Sequence, residues 1–261
     1  MKPDPWMRQM HDVELIIFDW GGTLSDVSSQ AEALQRGALE VCRLLAGTTD
    51  PDLAQALALE ALAAERRAAE DPEHREVDLT LFLTAWAGHK GYAIDAGRLD
   101  AAIEAIGRCW VGALVPTPGA VEAVTELRGR GFRLGLVSNV WLPPKVCRQE
   151  LQREGFGELL DFAVFSCEVG FRKPSPVIYE AALQAAFPDG RPADLSRALF
   201  VGDSPSCDVI APARLGMKTV LVDSVRGLWL ETDHAAVRPD LRVRAVADLP
   251  AVLGGKTTRR D

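Results

Sequence analysis

Apolar residues fill Leu15 to Phe18 and, with Val13, read as a buried strand over Val13–Phe18 that stops at a carboxylate, Asp19. After Thr23 the period changes to helical and stays so to about Leu114. Ser29-x-x-Glu32 is a capping-box pattern ahead of Ala33, Leu34, Ala38, Leu39, Val41 and Leu44. Asp50-Pro51 opens a second helix through Ala69, with proline in the first turn. Val77–Lys90 and Ala96–Val111 give two more helices. Amphipathic helices with no strand between them predict a small bundle.

From Pro116 the rhythm alternates. Helices over Gly119–Arg130, Pro144–Glu154, Pro176–Ala186 and Asp208–Leu215 precede strands Phe132–Val137, Phe162–Phe165, Ala198–Val201 and Lys218–Val222. Such alternation predicts an α/β fold with a parallel sheet covered on both faces, to which Val13–Phe18 also belongs. The helical stretch, residues 26–114, then interrupts an α/β core made of residues 1–25 and 115–261. The turn residues Leu114-Val115-Pro116 and Pro118-Gly119 mark the return to it.

Composition narrows the class. At 261 residues, 48% of them hydrophobic and 25% charged, the chain can bury a sizeable core. A net charge of -8 argues against a nucleic-acid surface. No apolar run approaches the roughly 18 residues that span a bilayer, and residues 1–11 carry no signal-peptide core. Five cysteines (42, 109, 147, 167, 207), an odd number with no C-x-x-C pair, read as reduced thiols of a cytoplasmic protein. The polar tail, Gly254–Asp261, reads as frayed.

Ligands of open α/β sheets gather beyond the carboxyl ends of the strands. Four polar clusters fall there: Asp19-Trp20-Gly21-Gly22-Thr23, Ser138-Asn139, Lys173 on Gly170-Phe171-Arg172-Lys173-Pro174, and Gly202-Asp203-x4-Asp208. Glycine tolerates close approach and positive φ, so the first cluster brings backbone near a ligand. Read singly, Asp19 is also a strand-ending turn acid, Lys173 a solvated loop lysine, Ser138 and Thr23 ordinary loop residues, and Asp208 a helix cap. Cys207 has no histidine nearby in sequence and reads as inert. Trp20 either stacks on substrate or packs beneath the helical stretch.

In order and spacing the four clusters resemble the motifs of the haloacid dehalogenase-like superfamily: Asp19 to Thr23, Ser138, Lys173, and Gly202-Asp203 to Asp208. Pro116-x-Pro118-Gly119 and Lys173-Pro174-x-Pro176 are similar to members with a helical cap inserted after the first strand. The resemblance covers nearly the whole chain. It implies a Rossmann-like core with an inserted helical cap, Mg2+ as cofactor and a small phosphorylated substrate, with no nucleic acid or membrane partner. Asp19 would be the nucleophile that forms an aspartyl-phosphate. Ser138, Asn139, Lys173 and Thr23 would hold phosphoryl oxygens. Asp19, Asp203 and the Gly21 carbonyl would ligate Mg2+. Asp208 would either orient a metal-bound water or pair with Lys173.

One position departs from that pattern. Phosphatases of the superfamily usually carry a second aspartate two residues after the nucleophile, as general acid and base, and here it is Gly21. Either the leaving group needs no proton, or an acid comes from elsewhere (Asp26, Glu32, His74, His89), or the chain is a catalytically weakened binding or regulatory protein. Phosphonoacetaldehyde hydrolases are similar at Asp19-Trp20 but need a cap lysine, and this stretch offers only Lys90. Haloacid dehalogenases are similar at Lys173 and Tyr179 but lack the metal-binding carboxylate that Asp203 provides.

Overall fold

Strand β1 (Leu15–Phe18) is buried at every position, as a strand flanked on both edges must be. It pairs in parallel with β4 (Arg133–Ser138) on one side and β6 (Ala198–Gly202) on the other. The computed structural model describes residues 10, 12–27, 29–190, 192, 194–223 and 238–253. Among them β5 (Phe162–Phe165), β7 (Lys218–Val222) and β8 (Leu241–Val243) complete a six-stranded sheet in the order β5-β4-β1-β6-β7-β8. All its pairings are parallel. Side chains alternate across it: Ile16, Phe18, Leu136 and Val201 enter one core, Leu15, Ile17, Val137 and Phe200 the other. After β1 the sheet grows through β4 to β5 and then through β6 to β8, so the order reverses at β1. That reversal opens a crevice beyond the carboxyl end of β1.

The chain leaves this sheet through a two-stranded antiparallel ribbon. β2 (Ser25–Val27) pairs with β3 (Leu114–Pro116), with Ser25 opposite Pro116 and Val27 opposite Leu114. Strands of three residues are too short to show alternation, and the expectation of a wholly helical stretch passed over both. Among the described residues, four α-helices lie between them, α1 (Gln30–Val41), α2 (Pro51–Glu70), α3 (Leu79–His89) and α4 (Ala96–Val111), with a wide helical turn at Cys42–Ala46 after α1. Asp50 caps α2 as the sequence suggested, accepting from the Asp52 N–H at 2.9 Å. The capping box at α1 is not formed: Ser29 is extended there, but its hydroxyl makes no cap hydrogen bond.

Four further helices were anticipated, and three lie where the pattern put them: α5 (Ala120–Gly129), α6 (Pro144–Glu154) and α8 (Pro176–Ala186), with the four-residue α7 (Ser166–Val169) before α8. The helix expected over Asp208–Leu215 begins earlier, as a wide turn at Pro205–Ile210 that passes into α9 (Ala211–Arg214). Strand β8 and the short α10 (Leu249–Val252) were not anticipated. The readings of residues 1–9 and of the tail from Gly254 lie outside the described residues. No helix among the described residues is long and apolar enough to cross a membrane.

Candidate active site

Parallel registration brings the polar clusters to one end of the sheet. Phe18 lies opposite Leu136 and Val201, so Asp19, Ser138 and Asp203 follow within two residues of that level. The Asp19 N–H donates to the Val201 carbonyl at 2.9 Å, which continues the ladder one residue past β1. Lys173 and Asp208 join from their loops. The Lys173 ammonium donates to Asp19 Oδ1 at 2.7 Å and to Asp208 Oδ1 at 2.8 Å. Of the two roles expected for Asp208, pairing with Lys173 is the one seen. Its other oxygen accepts from the Ser204 N–H at 2.9 Å, and Ser204, not Asp208, caps the following turn.

All three charged side chains are buried or nearly so. Burial pushes the Asp19 carboxyl up to about 6; Lys173 pulls it back and Asp208 adds to the rise. For Lys173, burial opposes the charge, yet Asp19 and Asp208 together outweigh it and hold the ammonium above its ordinary range. One oxygen each of Asp19, Asp203 and Asp208 lie within 4.8 Å of one another. Three buried carboxylates, two of them paired with one ammonium, are hard oxygen donors of the kind Mg2+ takes, so this donor set fits the ion.

Two glycines make that cluster possible. A β-carbon on Gly202 would lie 2.6 Å from the Asp208 Cβ, so the side chain of Asp208 occupies the space a larger residue would need. Gly22 has φ 84°, and a β-carbon there would come 2.9 Å from the Asp203 Cγ. Gly21 is different. It is exposed, its φ is not positive, and a β-carbon on it would meet nothing within 4 Å. Space is therefore not the reason that an acid is missing here.

The other expected residues divide. Ser138 is buried at the end of β4, one residue beyond the level of Asp19. Thr23 is buried, and its hydroxyl has no hydrogen-bond partner among the described residues. Asn139, expected on phosphate, spends its amide on the Lys173 backbone: Oδ1 accepts the Lys173 N–H at 2.7 Å and Nδ2 donates to its carbonyl at 3.0 Å. It positions the lysine loop. Trp20 packs rather than facing a ligand. Its ring lies 6.0 Å from that of Phe165, and its indole N–H donates to Glu154 at 2.9 Å. Burial pushes the Cys207 thiol up to about 11, as an inert cysteine requires.

Among the candidates for a substitute acid, Glu32 and His89 are exposed on the helical block, and Asp26 lies on the ribbon, where it accepts from the Val27 N–H. Only His74 has its backbone against the lysine loop, through a carbonyl that accepts from Arg172 at 2.7 Å. Several contacts around the site had no motif to mark them. Glu154 holds Trp20 from α6. The Tyr179 hydroxyl donates to the Cys207 carbonyl and steadies the turn that carries Asp208. Glu76, in the loop before α3, takes the Arg172 guanidinium. Their partners are distant in sequence, so neither periodicity nor spacing could show them.

Comparison with known proteins agrees with this geometry. A family model described as haloacid dehalogenase-like hydrolase matches residues 13–216. The chain is 29% identical over 164 residues to pyrimidine 5'-nucleotidase YjjG of Escherichia coli K12, a match covering 61% of this chain and 65% of the nucleotidase. It is 27% identical over 213 residues to glyceraldehyde 3-phosphate phosphatase of Pyrococcus abyssi, covering 80% of each. In fold it is similar to the 2-haloacid dehalogenase of Pseudomonas syringae pv. Tomato DC3000, with a TM-score of 0.62 at 23% identity over 92% of this chain and 98% of that one. The shared fold alone does not choose between attack at phosphorus and at carbon. With the matched stretch running from β1 past Asp208 and taking in all four clusters, the chain belongs to the haloacid dehalogenase-like hydrolases.

Proposed function

We propose that this hydrolase is a Mg2+-dependent phosphatase that acts on a small phosphorylated metabolite through Asp19. The observation that carries the reading is Asp203. It places a further carboxylate beside the nucleophile, where attack at carbon would need none. Residues 26–114 act as the cap, joined to the core of residues 1–25 and 115–261 by the β2–β3 ribbon, and would exclude water over the crevice. The reduced cysteines favour a cytoplasmic location.

The Asp19 carboxylate attacks phosphorus, the bond to the leaving oxygen breaks with its electron pair, and an aspartyl-phosphate forms. Water then attacks that phosphorus, phosphate leaves and the carboxylate is restored. An ammonium has three donors, and two of Lys173's are taken by Asp19 and Asp208. The third, with the Ser138 and Thr23 hydroxyls, would hold phosphoryl oxygens. Asp19, Asp203 and the Gly21 carbonyl would hold Mg2+, which when bound neutralises charge between nucleophile and phosphoryl group.

With Gly21 where an acid would stand, the leaving oxygen departs without a proton from that position. The reading therefore restricts efficient turnover to leaving groups of low pKa, such as acyl phosphates. The test is hydrolysis of acetyl phosphate, p-nitrophenyl phosphate and alkyl phosphates, with and without Mg2+, beside a haloacid and phosphonoacetaldehyde. Rates that fall steeply with leaving-group pKa and need Mg2+ support it. Equal rates across the series would sink the leaving-group restriction, and turnover of the haloacid alone would replace phosphatase with dehalogenase. The open side of Gly21 also favours a second reading, a weakened enzyme that binds without turnover. Tight phosphate binding with no hydrolysis of any compound would establish that one.

A further inference from the structure

One carboxylate of the cap reaches both loops that would hold the phosphoryl group. Glu76 lies between α2 and α3, with its side chain only 2% exposed. Its Oε1 accepts from Arg172 Nη1 at 2.7 Å, and Arg172 is the residue before Lys173. Its Oε2 accepts from the Ser166 hydroxyl. The Ser166 oxygen in turn accepts the Val140 N–H at 2.7 Å, on the loop that begins at Ser138. Backbone pairing fixes the approach. The Arg172 N–H donates to the His74 carbonyl at 2.7 Å, and the Glu76 N–H donates to the Gly170 carbonyl at 2.9 Å. Arg75 and Phe171 thus form an antiparallel bridge between cap and core. His74 holds this turn with φ 55°, in the left-handed region. Glu65 of α2 adds a second cap carboxylate, 3.9 Å from the same guanidinium.

Asn139 ties the two loops together wherever the cap sits, because both its partners belong to the core. Glu76 ties them only when the cap is docked. Arg172 and Glu76 are both buried in the docked arrangement, so undocking separates a buried pair and returns two charges to water. We infer that Glu76 is a positioning residue, acting through Arg172 and Ser166, that makes the phosphate-holding geometry of Ser138 and Lys173 conditional on cap docking. The inference rests on the phosphatase reading of the site. Because coupling is reciprocal, phosphate in the crevice favours the docked cap as much as docking favours phosphate.

The test uses the full chain with Mg2+, p-nitrophenyl phosphate as substrate and inorganic phosphate as competing probe. Glu76→Gln keeps the size of the side chain and removes its charge. KM and the phosphate inhibition constant then rise together, on the order of tenfold, with a smaller change in kcat. Ser166→Ala breaks the link to the Ser138 loop but leaves the Arg172 pair. It shifts both constants the same way by a smaller factor, and it decides the matter if Glu76→Gln does not fold. Glu104→Gln, which removes an exposed pair with Arg108 on α4, leaves both constants unchanged. Wild-type constants in the folded variants, or a fall in kcat with phosphate inhibition intact, overturn the inference. A wild-type chain that neither hydrolyses a phosphoester nor binds phosphate overturns the phosphatase reading, and the inference with it.

Discussion

The Asp203 carboxylate lies against the α-carbon of Gly22, so closely that a β-carbon there would come within 2.9 Å of its Cγ. Gly22 also has φ 84°, a conformation that costs an L-residue roughly 1–2 kcal/mol. Gly22→Ala is therefore expected to lower stability by about that amount and to displace Asp203. Thermal unfolding and Mg2+ titration read the two effects separately. Unchanged Mg2+ affinity would show that Asp203 is not held as described.

Its neighbour Gly21 behaves in the opposite way, because nothing lies within 4 Å of a β-carbon placed on it. Gly21→Asp should fold like the parent and supply the missing proton donor. Alkyl phosphate hydrolysis is then expected to rise by about 10²–10⁴, while acetyl phosphate changes little. A flat response to leaving-group pKa in the parent, or no gain in the variant, contradicts the assignment.

Lys173 is the buried cation between Asp19 and Asp208. Lys173→Met leaves two buried carboxylates facing each other, at a cost of about 3–5 kcal/mol, and abolishes turnover. Adding Asp208→Asn to that variant should recover part of the stability without recovering activity. Denaturant unfolding of the two variants checks this, and full stability in Lys173→Met would mean the charges are solvated.

Mg2+ that binds the folded chain must stabilise it. At a concentration 100 times its Kd the gain is about 2.7 kcal/mol, visible as a higher unfolding temperature. Asp203→Asn is expected to remove most of that gain. An equal shift in the variant would place the ion elsewhere.

Burial pushes the Glu154 carboxyl up, while the hydrogen bond from the Trp20 indole pulls it partly back. The folded chain therefore keeps this proton to higher pH than the unfolded chain does. Between the two pKa values the unfolded state has already lost it, so this group's contribution to stability falls as pH rises. Glu154→Gln still accepts from Trp20 and does not titrate. Its unfolding temperature should decline less than the parent's as pH rises from the ordinary glutamate range. Parallel pH curves would remove Glu154 from the account.

Asp19, Lys173, Asp203 and Asp208 could be read from the chain because each ends a strand or sits on a loop of recognisable spacing. β1 and α6 could be read because a buried strand and an amphipathic helix write their period into the sequence. The ribbon β2–β3 could not, since three residues hold no period and its pairing spans the whole helical stretch. Ser29 had the right residue type for a cap, yet its side chain makes no cap hydrogen bond. The second partners were the least visible. Asn139 was placed on phosphate because it follows Ser138, and only the fold shows its amide turned to Lys173. Glu76 and Arg172 are distant in sequence, and nothing local marks either as the other's counter-ion.

Because Ser25 lies opposite Pro116 and Val27 opposite Leu114, the chain departs from the core and rejoins it at a single doorway. The ends of the helical stretch are thus held side by side, and its length is not set by the strands of the sheet. Arg172 limits that freedom. A foreign insert grafted onto β2 and β3 would have to bring its own carboxylate to the guanidinium, or leave a cation stranded one residue from Lys173. The doorway admits an insert, and the arginine sets the charge that insert must carry to it.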